Sequence, residues 1–349
     1  LPALAGLTGE DRRTIVDTIG GHPRLIEFAD ALMRGQGGRG RLASVAKRLR
    51  ALAGSDIAIA RRPDQAPGAA EAARQAVILG SRDILLDELL GLLTESQRAA
   101  LLQAAVSRVP FSAADLAFAV AGTPVDPSTS DDAFQVVNGP PAADAVRAVE
   151  GDVDQLIALT LMTPVEGEVV VHTWVAEALA EHQGDGLADR HLRAHDMRWH
   201  RITNERGGFD DLVEMARHLA AAGHTDTLVQ FAFAVSDWLP GELAVAAFLG
   251  EVLPSVPRDH PNFLPLMDRE RQALIATGNG TAALIRAQEQ VNVARARADA
   301  DPGNVQFQRD LSISYERLGD LARSAGDAAV ARDWYTQSLE IRRRLVQAD

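Results

Sequence analysis

Cysteine is absent from the chain. Its absence removes disulfides, thiol nucleophiles and thiolate metal sites together, and it fits a cytoplasmic protein. Lysine is nearly absent too, occurring once at Lys47 within Ser44-Val45-Ala46-Lys47-Arg48. A phosphate-binding P-loop needs G-x-x-x-x-G-K-[ST], whose backbone N–H groups cradle phosphate while the lysine reaches it. Here no glycine precedes the lysine and no hydroxyl follows it, so this segment carries no Walker A motif. No apolar run approaches the roughly 20 residues needed to cross a bilayer, and the first residues lack a signal-peptide pattern. A soluble protein is expected. Neither a Ser-His-Asp order nor a pair of carboxylates in pocket-like context stands out, so the segment reads as non-enzymatic.

The chain of 349 residues is rich in alanine, leucine and arginine and has 5% aromatic residues. That composition favours packed helices in two or three domains. Its formal charge of −13 is uneven. The segment 83–183 holds sixteen of the 48 acidic residues but three of the 35 basic ones, Arg98, Arg108 and Arg147. Such a block repels phosphate backbones and is a poor grip for nucleic acid. By contrast, residues 34–62 hold eight basic residues and one acid, Asp56. This stretch reads as a solvated face or a surface that docks on the acidic block.

Thr8 opens a helix to Asp17, ended by Gly20-Gly21-His22-Pro23, a glycine stop followed by a helix-starting proline. Arg24 to Arg34 forms the next helix, 36–40 a loop, Arg41 to Leu52 a basic helix and 66–70 a linker. Asp83 to Leu93 is an apolar helix. Capping boxes begin at Thr94-Glu95-Ser96-Gln97 and Ser112-Ala113-Ala114-Asp115. A loop over 123–141 leads to a helix over Asp152–Leu161, then to a hairpin of Leu161–Val165 and Glu168–Val171 around a Glu166-Gly167 turn. His172 stands at the joint between that hairpin and a helix starting at Thr173, a joint expected to be buried. Three helices followed by a hairpin is the order of a winged helix-turn-helix.

Beyond His182 the pattern is wholly helical: Asp210–Gly223, Asp226–Trp238 and Glu242–Val252. His191 and His195 lie one helical turn apart, but without a third ligand they read as packing or surface histidines, and no metal site is expected. The C-terminal part repeats with an offset of 48 residues, which aligns Gly278 with Gly326, Ala283 with Ala331, Val291 with Leu339 and Arg295 with Arg343. Leu318-Gly319, Ala331 and Tyr335 sit at tetratricopeptide-type positions, where small residues let a helical hairpin close. A hairpin of this kind needs neighbours, so the array is expected to continue past Asp349.

Gly20-Gly21-His22-Pro23-Arg24-Leu25 resembles the glycine-x-proline motif of the STAND class of signalling NTPases. Val171-His172-Thr173 resembles their winged-helix MHD-type motif, with Thr173 where the family often has aspartate. Arg217-His218-Leu219-Ala220-Ala221-Ala222-Gly223, followed by Asp237-Trp238-Leu239, is similar to their link to sensor repeats. The resemblance implies that Pro23 packs against adenine and that His172 contacts the ADP β-phosphate in a closed state. The plainer readings are a helix-start proline and a hydrogen-bonded histidine without ligand.

The expected fold is mainly α. A small helical lid-type domain with its linker (1–80) precedes a winged helix (81–183), a helical linker domain (184–255) and tetratricopeptide-like repeats (256–349). The expected role is the regulatory and sensor portion of a STAND-type switch, plausible in bacterial immunity. A protein or peptide would bind at the repeat groove, a nucleotide-binding core would act in cis, and activation would bring homo-oligomerisation. ATP or ADP is implied for the full-length protein, with none bound tightly by this segment; membrane and nucleic-acid partners are not expected. Two alternatives remain open: a transcription regulator of the maltose-regulator type, and a repeat scaffold without nucleotide switching.

Overall fold

Proline at the first turn of a helix loses no hydrogen bond that the helix would have made. Pro23 opens α1 (Pro23–Arg34) in this way, and the His22 carbonyl accepts from Ile26 N–H at 3.1 Å. The computed structural model describes residues 9, 12–13, 22–34, 44–45, 47–49, 51, 69–123 and 139–348. Gly20-Gly21, the 36–40 loop and most of the helix expected over Thr8–Asp17 lie outside the described residues, as does most of the 123–141 loop. Gly9, Arg12 and Arg13 are helical, as are the described residues between Ser44 and Ala51.

The described residues are mainly helical, with one two-stranded hairpin and a C-terminal array of helical hairpins. They fall into two compact units, one of the described residues up to 197 and the other of residues 198–348. In the first, α2 (Ala69–Leu90) begins well before the expected Asp83 and ends before Leu93. Its C-terminal half buries Leu85, Leu86 and Leu89 completely or nearly so. Helices α3 (Glu95–Ala104) and α4 (Ala113–Ala121) both start with the capping boxes read from sequence, Thr94 with Gln97 and Ser112 with Asp115. Helix α5 (Ala143–Ala158) starts earlier than the expected Asp152. Its N-cap is Ala142, which offers no side-chain acceptor, so the sequence carried no start signal there.

Strands β1 (Thr163–Val165) and β2 (Glu168–Val170) pair antiparallel with Val165 opposite Glu168. The two-residue turn between them has φ of 50° at Glu166 and 87° at Gly167, the doubly positive geometry that suits a twisted hairpin. Phe111, between α3 and α4, adds a bridge to Val169 through mutual hydrogen bonds of 3.1 and 2.9 Å. Three helices, a strand stub and a returning hairpin give the winged-helix order. Helix α6 (Thr173–Leu179) follows, then two single turns of 3₁₀ helix and α7 (Leu187–Thr203). Phe28, Leu85, Leu101, Phe111, Leu156 and Val175 share one buried core.

Helix α1 packs into this unit by a specific chemistry. Arg24 Nη2 donates to the Thr160 carbonyl at 2.7 Å, and Arg34 Nη1 donates to the Ala158 carbonyl at 3.4 Å. The Ala158 carbonyl belongs to the last residue of α5, where a helix leaves acceptors unsatisfied and its dipole favours cations, and that of Thr160 lies two residues beyond. Thr160 itself has φ of 59°, a conformation that costs energy in a β-branched residue.

In the second unit, α8 (Phe209–Ala221), α9 (Thr225–Trp238) and α10 (Glu242–Val252) precede α11 (Phe263–Ala276), α12 (Gly280–Ala300), α13 (Val305–Ser324) and α14 (Ala328–Ala348). Three hairpins, α8/α9, α11/α12 and α13/α14, close with the same turn. Gly223, Gly278 and Gly326 have φ of 83°, 77° and 83°. In each, the next residue's N–H reaches back to the helix, as His224 to Leu219, Asn279 to Leu274 and Asp327 to Ala322, at 2.9–3.0 Å. These are three copies of the glycine-terminated helix end. The α8/α9 hairpin shares this turn with the two hairpins that the 48-residue alignment pairs, although α10 separates it from them. Ala283 and Ala331 are both buried as aligned, whereas Val291 is 0% exposed and its partner Leu339 is 46% exposed.

Candidate functional site

The two residues singled out by sequence, Pro23 and His172, flank one aromatic stack. Trp174 lies two residues after His172 and its indole stacks on His22, the neighbour of Pro23, with ring centres 5.1 Å apart at 25°. Phe28 lies behind at 6.2 Å, and the Arg82 guanidinium carbon sits 5.4 Å from the indole centre. Arg82 also pairs with Asp83 at 2.8 Å, and Arg24 with Glu27 at 2.8 Å. Helices α1, α2 and α6 thus meet at Trp174, and this indole gathers two rings and one cation from segments far apart in sequence.

His172 is exposed, which corrects the expectation of a buried joint. The reason is local. As N-cap of α6 it stays outside the helix with extended ψ of 134°, and its Nδ1 accepts the Trp174 backbone N–H at 3.2 Å. Its carbonyl accepts from Val175 and Ala176. This use of Nδ1 as an acceptor puts the proton of the neutral ring on Nε2, by assignment from the hydrogen bond. Nε2–H is then an outward donor suited to an anionic oxygen. Pro23 is exposed at the start of α1, while the Nδ1 of His22 is buried and finds no hydrogen-bond partner among the described residues. An exposed pyrrolidine ring and one outward N–H can contribute contacts to a ring-and-phosphate ligand. They form no phosphate cradle by themselves.

A second polar assembly was not legible in the sequence. Arg198 is 0% exposed, the bulkiest of the fully buried side chains, and donates to Asp211 Oδ1 at 2.9 Å. Arg201 Nε donates to the same oxygen at 3.1 Å, while Asp211 Oδ2 accepts the Gly208 N–H at 2.9 Å and so caps α8. One turn on, buried Glu214 is held by Arg217 at 2.7 and 2.8 Å, with His218 Nε2 at 3.6 Å. Burial lowers the Arg198 pKa, and the hydrogen bond to Asp211 acts against that shift. With each carboxylate held by basic partners, this assembly ties the last turns of α7, from Arg198 on, to α8 within the second unit and offers no free acid or base.

His191 and His195 are both buried on α7, and His195 Nδ1 lies 3.1 Å from Asp196 Oδ1. Among the described residues no group of three or more metal-ligating side chains is found, and no helix is long and apolar enough to cross a membrane. Compared with protein-family models, with curated proteins and with solved structures, the chain matches none.

Proposed function

We propose that this chain is the regulatory and sensor portion of a STAND-type signalling switch. A small helical domain and an acidic winged helix would couple tetratricopeptide-type repeats to a nucleotide-binding core. The observation that carries the reading is the stack of His22, the neighbour of Pro23, on Trp174, two residues after His172, which brings together the segments that hold the two residues the resemblance assigns to one nucleotide. In the closed state Pro23 would pack on the base and His172 would donate Nε2–H to a phosphate oxygen. Loss of that bond on nucleotide exchange would free the winged helix to move between two discrete packings. ATP or ADP would be held chiefly by the core, and activation would bring oligomerisation.

The alternative of a DNA-binding regulator is less well supported. Helix α5 occupies the recognition position of the winged helix, yet it exposes Asp144, Glu150 and Asp154 against a single base, Arg147. A reading helix needs cations near phosphate. The switch reading is tested by His172→Ala in the full-length protein. It predicts activation without a trigger, whereas a scaffold without nucleotide switching predicts unchanged basal signalling.

A further inference from the structure

A cavity of about 230 Å³ opens between α11 and α13, the first helices of two successive hairpins, with α12 behind it. Its walls are Leu264, Pro265 and Ile313, and one of its polar groups, the amide oxygen of Gln290, lacks a donor. Gln290 of α12 is 3% exposed, and its Nε2 donates to the Leu264 carbonyl at 3.2 Å. That bond fixes the amide orientation and leaves Oε1 buried with no hydrogen-bond partner. A buried acceptor left unsatisfied is costly and calls for an explanation. Asp310, half-buried on α13, accepts from Gln306 at 2.7 Å and feels the charges of Arg297 and Arg309. Burial, the largest effect, pushes its carboxyl above the usual range.

The other acid at the rim, Asp268, is already neutralised. Arg271 reaches it at 2.6 Å and Arg317 at 3.3 Å, and Gln272 donates to its second oxygen at 2.7 Å. What stays open in the pocket is the Gln290 amide oxygen, an acceptor in the same lining as the Asp310 carboxylate and the apolar walls. Ligand sites for drug-sized molecules begin at about 300 Å³, so the cavity suits a side chain better than a nucleotide. Lysine and arginine combine an aliphatic stem with a charged head in the required way.

We propose that this pocket binds a lysine or arginine side chain of a partner peptide. The charged head lies between Asp310 and Gln290, and the stem lies along Leu264 and Ile313. The assignment deepens the sensor reading and rests on it for the occupant being part of a partner protein.

The test uses the full chain with labelled leucine and isoleucine methyls, titrated with an alanine-flanked, end-blocked lysine peptide and its norleucine counterpart. The lysine peptide should shift the Ile313 and Leu264 methyls, the norleucine peptide should not, and Asp310→Asn should weaken binding about tenfold or more. Equal shifts from the two peptides, or an unchanged affinity in Asp310→Asn, would overturn the proposal. The ligand-side comparison needs no variant to fold. Specific lysine-peptide binding alongside unaltered signalling in His172→Ala would leave the pocket standing and remove the switch reading.

Discussion

The indole of Trp174 lies 5.1 Å from the imidazole of His22, joining the winged-helix side of the unit to the helix that Pro23 begins. The two rings come from positions far apart in the chain, so the stack reports on tertiary packing alone. It also fixes the backbone beside His172, because the Trp174 N–H is the donor that His172 Nδ1 accepts.

Replacing Trp174 by alanine should therefore loosen α1 from the unit as well as lower stability. Truncating a buried tryptophan costs about 3–5 kcal/mol, and the low end applies because Trp174 is half-buried. Trp174→Phe keeps a ring over His22 and should recover most of the loss. Denaturant melts combined with hydrogen exchange over 23–34 measure both effects; unchanged protection of α1 in Trp174→Ala would refute the joining role.

Gly319 marks a close approach that no larger residue allows. A β-carbon there would stand 2.6 Å from Tyr335 Cε1, and the phenol is held in place by its 2.8 Å bond to Asp320. Gly319→Ala should destabilise the α13/α14 hairpin by about 1–3 kcal/mol through overpacking. Pairing it with Tyr335→Ala removes the obstacle, so the two changes should couple in a double-mutant cycle. Strict additivity would show that the ring is not what requires glycine.

Asp211 serves Arg198, Arg201 and the N-terminus of α8 at once. Asp211→Ala takes the shared carboxylate from two buried guanidiniums and should cost about 3–5 kcal/mol. Thermal unfolding of the variant reads this directly. A loss near zero would mean that the buried arginines are stabilised chiefly by other groups.

Legibility in the sequence followed chemistry that acts over a few residues. The Glu166-Gly167 turn, the Thr94 and Ser112 caps and the glycines at 278 and 326 each announce themselves locally, and each stands where expected. The start of α5 did not, since Ala142 is no cap. The hairpin closed by Gly223 stands where the sequence placed its two helices. Arg198 sits in a helix dense with arginine and histidine, a composition that reads as solvated, and only packing against α8 buries it. Pro23 and His172 were chosen from short motifs, but Trp174, His22 and Arg82 were missed. Their role arises from contacts between distant segments, although a tryptophan two residues after the motif histidine was a usable signal.

The most direct measurement is the oligomeric state of full-length protein with ADP and no trigger, comparing His172→Ala with His172→Asp. Aspartate restores the N-cap of α6 but cannot donate to phosphate, so a folding defect in the alanine variant is separated from a lost latch. The account predicts that both variants assemble spontaneously while His172→Asp melts as the parent does. Variants that remain as quiescent as the parent would contradict the latch and leave His172 a capping residue alone.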